Sequence, residues 1–222
     1  MPHHPIVSYD STVCLVGGAG ISDSAFLLAQ QVCQVFVAVD SGADALLTRG
    51  VVPERVIGDL DSLSDKARAA FADRLTKIPE QSTTDFEKAL TRVAAPCVVA
   101  MGFTGGRIDH ALAVLNCLAR YADRAVVLLD DHDASFVAPV GRTVVQLERG
   151  TRLSVMALGR ADAVTLTGVV WPFADQMMKP DGFISPSNAA LGGDVTLTTS
   201  APVLVTLPRT QLATALQAAA RA

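Results

Sequence analysis

The sequence predicts an α/β protein in two parts. Residues 1–133 read as a Rossmann-like domain with a mainly parallel sheet and helices, and residues 134–222 as an all-β sandwich domain. Two observations lead there. Up to about residue 130, short β-rich runs alternate with segments of helical spacing, the pattern of crossovers between parallel strands. Beyond it, Val-, Thr- and Leu-rich runs follow one another with only turns between them, as in a sandwich or barrel. A chain of 222 residues, half of them apolar, has the material to bury a core in each part.

In the first part, strands are expected at Thr12–Val16, Val35–Asp40, Arg55–Gly58, Cys97–Met101 and Ala125–Leu129. Ser22 is placed to cap a helix carrying Phe26, Ala29 and Cys33 on one face, and Ser64 to cap Asp65–Asp73. Gly50 suits the end of a short helix, Ala43–Arg49, because glycine accepts the left-handed backbone found there. Thr84 and Glu87 make a capping-box pattern ahead of Asp85–Val93, whose apolar face is Phe86, Leu90 and Val93. A helix after Gly106 carries Asp109, Ala113 and Asn116 on one stripe. Ile108, Leu112 and Leu115 form its apolar stripe, expected to face the core. In the second part, strands are expected at Thr143–Leu147, Arg152–Leu158, Ala163–Val170, Asp194–Thr198 and Val203–Leu207, before a tail helix Gln211–Arg221.

Composition excludes several functions. A net charge of −4 gives no support for a nucleic-acid partner, which normally needs a basic face. No apolar run is long enough to span a membrane, and the first residues lack the pattern of a signal peptide. His3 and His4 read as an exposed terminus rather than a metal hook. Cys14, Cys33, Cys97 and Cys117 contain no C-x-x-C pair, which argues against zinc; all four lie in apolar segments and suit a reducing cytoplasm.

Ligands of open parallel sheets bind beyond the carboxyl ends of the strands, so the chemistry is sought in those loops. They hold Asp40 and Asp44, then Asp59 and Asp61, then Gln81, Thr84 and Asp85, then Gly105, Gly106, Arg107, Asp109 and His110. Asp59 and Asp61 are two apart and, in extended backbone, point the same way. Two such carboxylates repel unless a cation lies between them, and hard oxygen ligands suit Mg²⁺. Either aspartate is equally suited to capping a turn. Asp85 fits a first helical turn without further purpose. Lys88 is placed either to reach a phosphate or to sit in solvent. Gly105-Gly106-Arg107 resembles a phosphate-cradling loop, whereas Gly17-Gly18-Ala19-Gly20 misses the dinucleotide fingerprint. Trp171, the single tryptophan, is either core or a ring that stacks on a ligand. These residues alone leave open a nucleotide-dependent transferase, a metal-dependent phosphatase and a non-catalytic nucleotide sensor.

In order and spacing, Asp40-Ser-Gly-Ala-Asp44, Gly58-Asp59-Leu-Asp61-Ser62, Gln81-x-x-Thr84-Asp85-Phe86-x-Lys88 and Gly102-x-x-Gly105-Gly106-Arg107-x-Asp109-His110 resemble thiamine pyrophosphokinases. Gly168-Val-Val-Trp171-Pro172 and Ser185-Pro-Ser187-Asn188 are similar to that family's thiamine-side motifs. The resemblance implies transfer of pyrophosphate from ATP to thiamine by a homodimer, with the thiamine site near the subunit interface. It implies Mg²⁺ on Asp59, Asp61 and Asp85, with Asp40 and Asp109 completing the catalytic acids. Gln81, Thr84, Lys88, Gly105, Gly106 and Arg107 would bind the nucleotide, and Trp171, Ser187 and Asn188 the thiamine. Ser41, Asp44 and Leu60 stand where many members have glycine, asparagine and phenylalanine. A pterin-type pyrophosphokinase of the same architecture is the nearest alternative.

Overall fold

The computed structural model describes residues 5–220, so His3, His4 and Arg221 lie outside the described residues. The fold is mixed α/β. It divides into two compact units, residues 1–114 with 129–131, and residues 115–128 with 132–222.

The first unit contains strands β1 (Val7–Ser8), β2 (Val13–Val16), β3 (Val35–Val39), β4 (Arg55–Gly58), β5 (Leu75–Lys77), β6 (Val93–Ala94) and β7 (Val98–Met101). Helices α1 (Asp23–Val32), α2 (Gly42–Thr48), α3 (Asp65–Ala70) and α4 (Asp85–Arg92) alternate with them. Five strands pair in parallel in the order β7-β2-β3-β4-β5. Strands β2 and β7 are buried at every residue, as expected of parallel strands covered on both faces. The caps form where the sequence places them. Ser22 Oγ accepts the Ala25 N–H at 3.2 Å, Ser64 Oγ the Ala67 N–H at 3.1 Å, and Thr84 Oγ1 the Glu87 N–H at 3.3 Å.

Strand order locates a crevice. From β2 the chain proceeds to β3 on one side, and β7 later pairs on the other. Loops that leave such a switch point diverge and open a space at the carboxyl ends of the strands. Gly17 and Gly102 meet there. A Cβ on Gly17 would stand 2.5 Å from the Gly102 carbonyl oxygen, and one on Gly102 2.5 Å from that of Gly17, so neither position has room for a side chain.

Helix α5 (Ile108–Arg120) corrects one expectation. Ile108 and Leu112 are 74% and 58% exposed, and the buried residues are Val114, Cys117 and Leu118. Both sets satisfy helical spacing, so periodicity does not distinguish them, and packing buries the second.

The second unit holds β8 (Val126–Leu129) up to residue 128, β9 (Asp133–Ala138), β10 (Gly141–Leu147), β11 (Arg152–Ala157), β12 (Ala161–Thr167), β13 (Phe173–Met178), β14 (Ser185–Ala189), β15 (Gly193–Thr199), β16 (Val203–Pro208) and helix α6 (Leu212–Ala219). Antiparallel pairing gives the arrays β14-β11-β16-β9 and β10-β15-β12-β13. Phe136, Leu153 and Val205 of the first array and Val145, Leu166 and Leu197 of the second surround one small cavity, so the core of this unit lies between them.

Three of these strands are absent from the sequence reading. No strand is expected over residues 133–138, yet β9 is fixed by six registered pairs with β16, from Val203↔Ala138 to Pro208↔Asp133. Strands β13 and β14 lie at sheet edges and carry Pro172 before one and Pro186 within the other, and neither alternates in burial. Among the described helices, none is long and apolar enough to cross a membrane.

Phe136 is fully buried. Phe136→Ala is expected to cost about 3–5 kcal/mol through lost burial and a residual cavity. Chemical denaturation measures it, and an unchanged midpoint would contradict its place in the core.

Candidate active site

The acidic loops at the ends of β3 and β4 converge through strained backbone. Asp40 and Leu60 both take left-handed conformations, with φ of 47° and 65°. Extended geometry is therefore not what brings Asp59 and Asp61 together, contrary to the reading of their spacing. The chain turns at Leu60, whose side chain is buried and whose carbonyl accepts Arg68 Nη2 at 2.6 Å. Those anchors hold a conformation that costs an L-residue on the order of 1–3 kcal/mol. As a result, carboxylate oxygens of Asp40, Asp59 and Asp61 lie within 4.8 Å of one another. Asp40 is buried, and its Oδ1 has no hydrogen-bond partner.

One cation holds the neighbouring acids. Lys88 rises from α4 with its side chain 2% exposed, and its Nζ lies 2.9 Å from Asp85 Oδ1 and 3.4 Å from Asp59 Oδ2. Of the two sequence alternatives for Lys88, the solvated one is thus not what the structure has. Asp85, expected with Asp59 and Asp61 as a metal ligand, stands outside the close trio and is engaged by this ammonium. Gln81 Nε2 donates to Asp59 Oδ2 at 3.1 Å.

These contacts separate the proton affinities. Burial acts to raise the Asp59 carboxyl, but the Gln81 amide, the Asp61 N–H and the Lys88 ammonium outweigh it and hold the group below its ordinary value. Burial lifts the Asp40 carboxyl above its ordinary value; the Ser62 hydroxyl and Ser41 N–H oppose that, and the charges of Asp85 and Asp59 add to it. Burial acts to lower Lys88, yet Asp85 and Asp59 raise it, so it stays charged.

Asp40, Asp59 and Lys88 border a cleft of about 530 Å³. Gln81, Thr84, Asp85, Gly106 and Arg107 of the expected set line it too. Asp61, Gly105 and Asp109 do not; the exposed Asp109 pairs with the exposed Arg107, whose Nε lies 3.1 Å from its Oδ1. The cleft also takes in Gly17, Gly18, Ala19 and Phe103, none of which is among the expected site residues. The glycine loop lacks a dinucleotide spacing, and only strand order shows that it faces the switch point.

In the second unit, Trp171 is 63% exposed and Ser187 is exposed with φ 54°. Asn188 is buried, and the protein itself uses its amide. Oδ1 accepts the N–H groups of Trp171 at 3.2 Å and Ala189 at 2.9 Å, and Nδ2 donates to the Trp171 carbonyl at 2.7 Å. Asn188 thereby fixes the turn that presents the indole.

A family model described as thiamin pyrophosphokinase, catalytic domain, matches residues 27–129, and one described as its vitamin B1 binding domain matches residues 142–204. The chain belongs to the thiamine pyrophosphokinase family. Thiamine pyrophosphokinase 2 of Oryza sativa subsp. japonica is 28% identical over 174 residues, a match that covers 70% of this chain and 65% of the rice protein, just under two thirds of its length. Thiamine pyrophosphokinase 1 of Arabidopsis thaliana is 28% identical over 183 residues, covering 74% of this chain and 68% of that protein. The crystal structure of thiamin pyrophosphokinase from Geobacillus thermodenitrificans is similar with a TM-score of 0.74 at 27% identity, covering 89% of this chain and 96% of that one.

Two outcomes follow for this member of the thiamine pyrophosphokinase family. Lys88→Met leaves Asp59 and Asp85 without their cation and is expected to cost about 3–5 kcal/mol by denaturant unfolding; a neutral effect would mean that the ammonium is not what holds these acids. A carboxyl raised in the folded state binds its proton more tightly there, so stability falls as pH rises from the ordinary carboxylate value through the folded one. Asp40→Asn is therefore expected to raise the unfolding midpoint at neutral pH without divalent cations, and the gain should vanish in acid. A lower midpoint at neutral pH would contradict the raised carboxyl.

Proposed function

We propose that the protein transfers the pyrophosphoryl group of ATP to the hydroxyl of thiamine, giving thiamine diphosphate and AMP. The observation that carries this reading is the close trio Asp40, Asp59 and Asp61, of which Asp40 and Asp59 line one cleft with the buried Lys88, in a chain matched by both the catalytic and the vitamin B1 binding models.

The residues suit a divalent cation. Three carboxylates gather their oxygens within 4.8 Å, and one buried oxygen of Asp40 lacks any protein partner. Asp59 and Asp61 would hold Mg²⁺, with Asp85 the third ligand of the expected set and Asp40 facing the same centre. When bound, the cation supplies positive charge against the polyphosphate.

The rest is performed by the chain. Lys88, kept charged by its acids, supports phosphate oxygens at the cleft floor, and Gln81 and Thr84 lie beside it. Arg107 is exposed at the rim and free to exchange Asp109 for a phosphate, a bidentate partner of the same geometry. In the transfer, the thiamine hydroxyl oxygen forms a bond to the β-phosphorus, the bond from that phosphorus to the α–β bridging oxygen breaks, and AMP departs. The hydroxyl proton goes to a carboxylate, and Asp40 is the best suited because burial raises its proton affinity. The exposed Trp171 offers a face on which a cationic ring stacks.

On this reading residues 1–133 are a Rossmann-like catalytic domain for Mg-ATP, and residues 134–222 a β-sandwich domain for thiamine. The parallel strand order and the core shared by two antiparallel arrays support that division. The protein works as a homodimer in the cytoplasm with the thiamine site near the subunit interface. The four buried cysteines suit such a compartment.

Protein, Mg-ATP and thiamine together should release AMP, and omission of thiamine should stop the release. ADP as product, phosphate release without an acceptor, or preference for a pterin alcohol over thiamine would each overturn the assignment. Asp59→Asn and Asp61→Asn should abolish turnover while the far-ultraviolet circular dichroism is retained; wild-type rates in either would remove the metal role.

A further inference from the structure

The loop between β5 and α4 supplies Gln81, Thr83 and Thr84 to the cleft, yet it contains no regular structure. At its start, the Ile78 N–H donates to the Gly58 carbonyl at 2.8 Å and pins the chain beside the end of β4. At its end, Thr84 caps α4. What fixes the residues between is Glu80. Its Oε2 accepts the Ser82 N–H at 2.8 Å, the Ser82 hydroxyl at 2.7 Å and the Thr83 N–H at 3.1 Å. Its Oε1 accepts the Thr83 hydroxyl. One carboxylate thus collects four donors from two successive residues, and neither Glu80 nor Ser82 lines the cleft.

We infer that Glu80 is a positioning residue for nucleotide binding. It folds residues 81–83 around its carboxylate, and this sets the Gln81 amide against Asp59 and turns Thr83 into the cleft. The inference rests on the cleft being the nucleotide site of the proposed reaction. The four donors also favour the ionised carboxyl, led by the Thr83 and Ser82 hydroxyls, and hold it down at about 2. Glu80 therefore stays ionised wherever the enzyme operates, and the loop is a fixed support.

The same four bonds define the test. Glu80→Gln keeps the size of the side chain but turns one acceptor oxygen into a donor nitrogen. Binding of α,β-methylene ATP with Mg²⁺, followed by calorimetry, is expected to weaken about tenfold, and KM for ATP in AMP release to rise in step with kcat changed less than twofold. Glu80→Asp, which keeps the charge, should recover part of the loss. Ser82→Ala should weaken binding several-fold, and the double variant Glu80→Gln/Ser82→Ala should be no worse than Glu80→Gln alone, because both act through one set of bonds. Wild-type nucleotide affinity in Glu80→Gln, or full additivity in the double variant, overturns the inference. A loss that follows the thermal midpoint across all the variants also overturns it, since that marks a role in folding alone. Should Glu80→Gln fail to fold, unaltered affinity in Ser82→Ala rejects the inference by itself. The calorimetry needs no turnover, so absence of AMP release by the wild type defeats the proposed reaction without deciding the role of Glu80.

Discussion

The ammonium of Lys88 is the constraint on which the site depends. It is almost entirely removed from solvent, and its two acidic partners come from different places in the chain, Asp59 from the end of β4 and Asp85 from the first turn of α4. A buried charge of this kind is tolerable only when paired and hydrogen-bonded. The need for a partner therefore ties α4 to the carboxyl end of the parallel sheet. It also sets a limit on the acids: one positive charge stands beside Asp40, Asp59, Asp61 and Asp85. That surplus of negative charge is the physical reason the cleft suits a divalent cation and, through it, a polyphosphate.

Strain and support accompany that surplus. Asp40 and Leu60 hold left-handed backbone next to the carboxylates, and Leu60 is secured by burial of its own side chain. Glu80 supports the facing loop by another means, a carboxylate that substitutes for regular secondary structure. In the second unit Asn188 does similar work, with an amide that braces the turn under Trp171. Leu60, Glu80 and Asn188 thus each set the direction of an exposed neighbour, Asp61, Gln81 and Trp171.

Much of this was legible along the chain. The caps at Ser22, Ser64 and Thr84 were readable because a cap is local, a side chain and an N–H three residues apart. The parallel strands β2, β3, β4 and β7 were readable because burial on both faces leaves unbroken apolar runs. Strands β13 and β14 were not, since an edge strand is held by its neighbour's register and needs no alternation of its own. The buried stripe of α5 was misread for a related reason: Ile108 and Leu112 are as apolar as Val114 and Leu118, and only the surroundings of the helix distinguish them.

The sequence by itself determined the chemistry available to this protein, aspartates at strand ends, a glutamine and threonine before a helix, a lone tryptophan, and the order in which they occur, because those follow from residue identity and local spacing. Only the tertiary structure decided which of them meet. It grouped Asp40 with Asp59 and Asp61, gave Asp85 to Lys88, brought Gly17–Ala19 and Phe103 to the switch point, and buried Asn188 beneath Trp171. Those outcomes depend on strand order and on where charge is forced out of water, and neither is a property of any one segment.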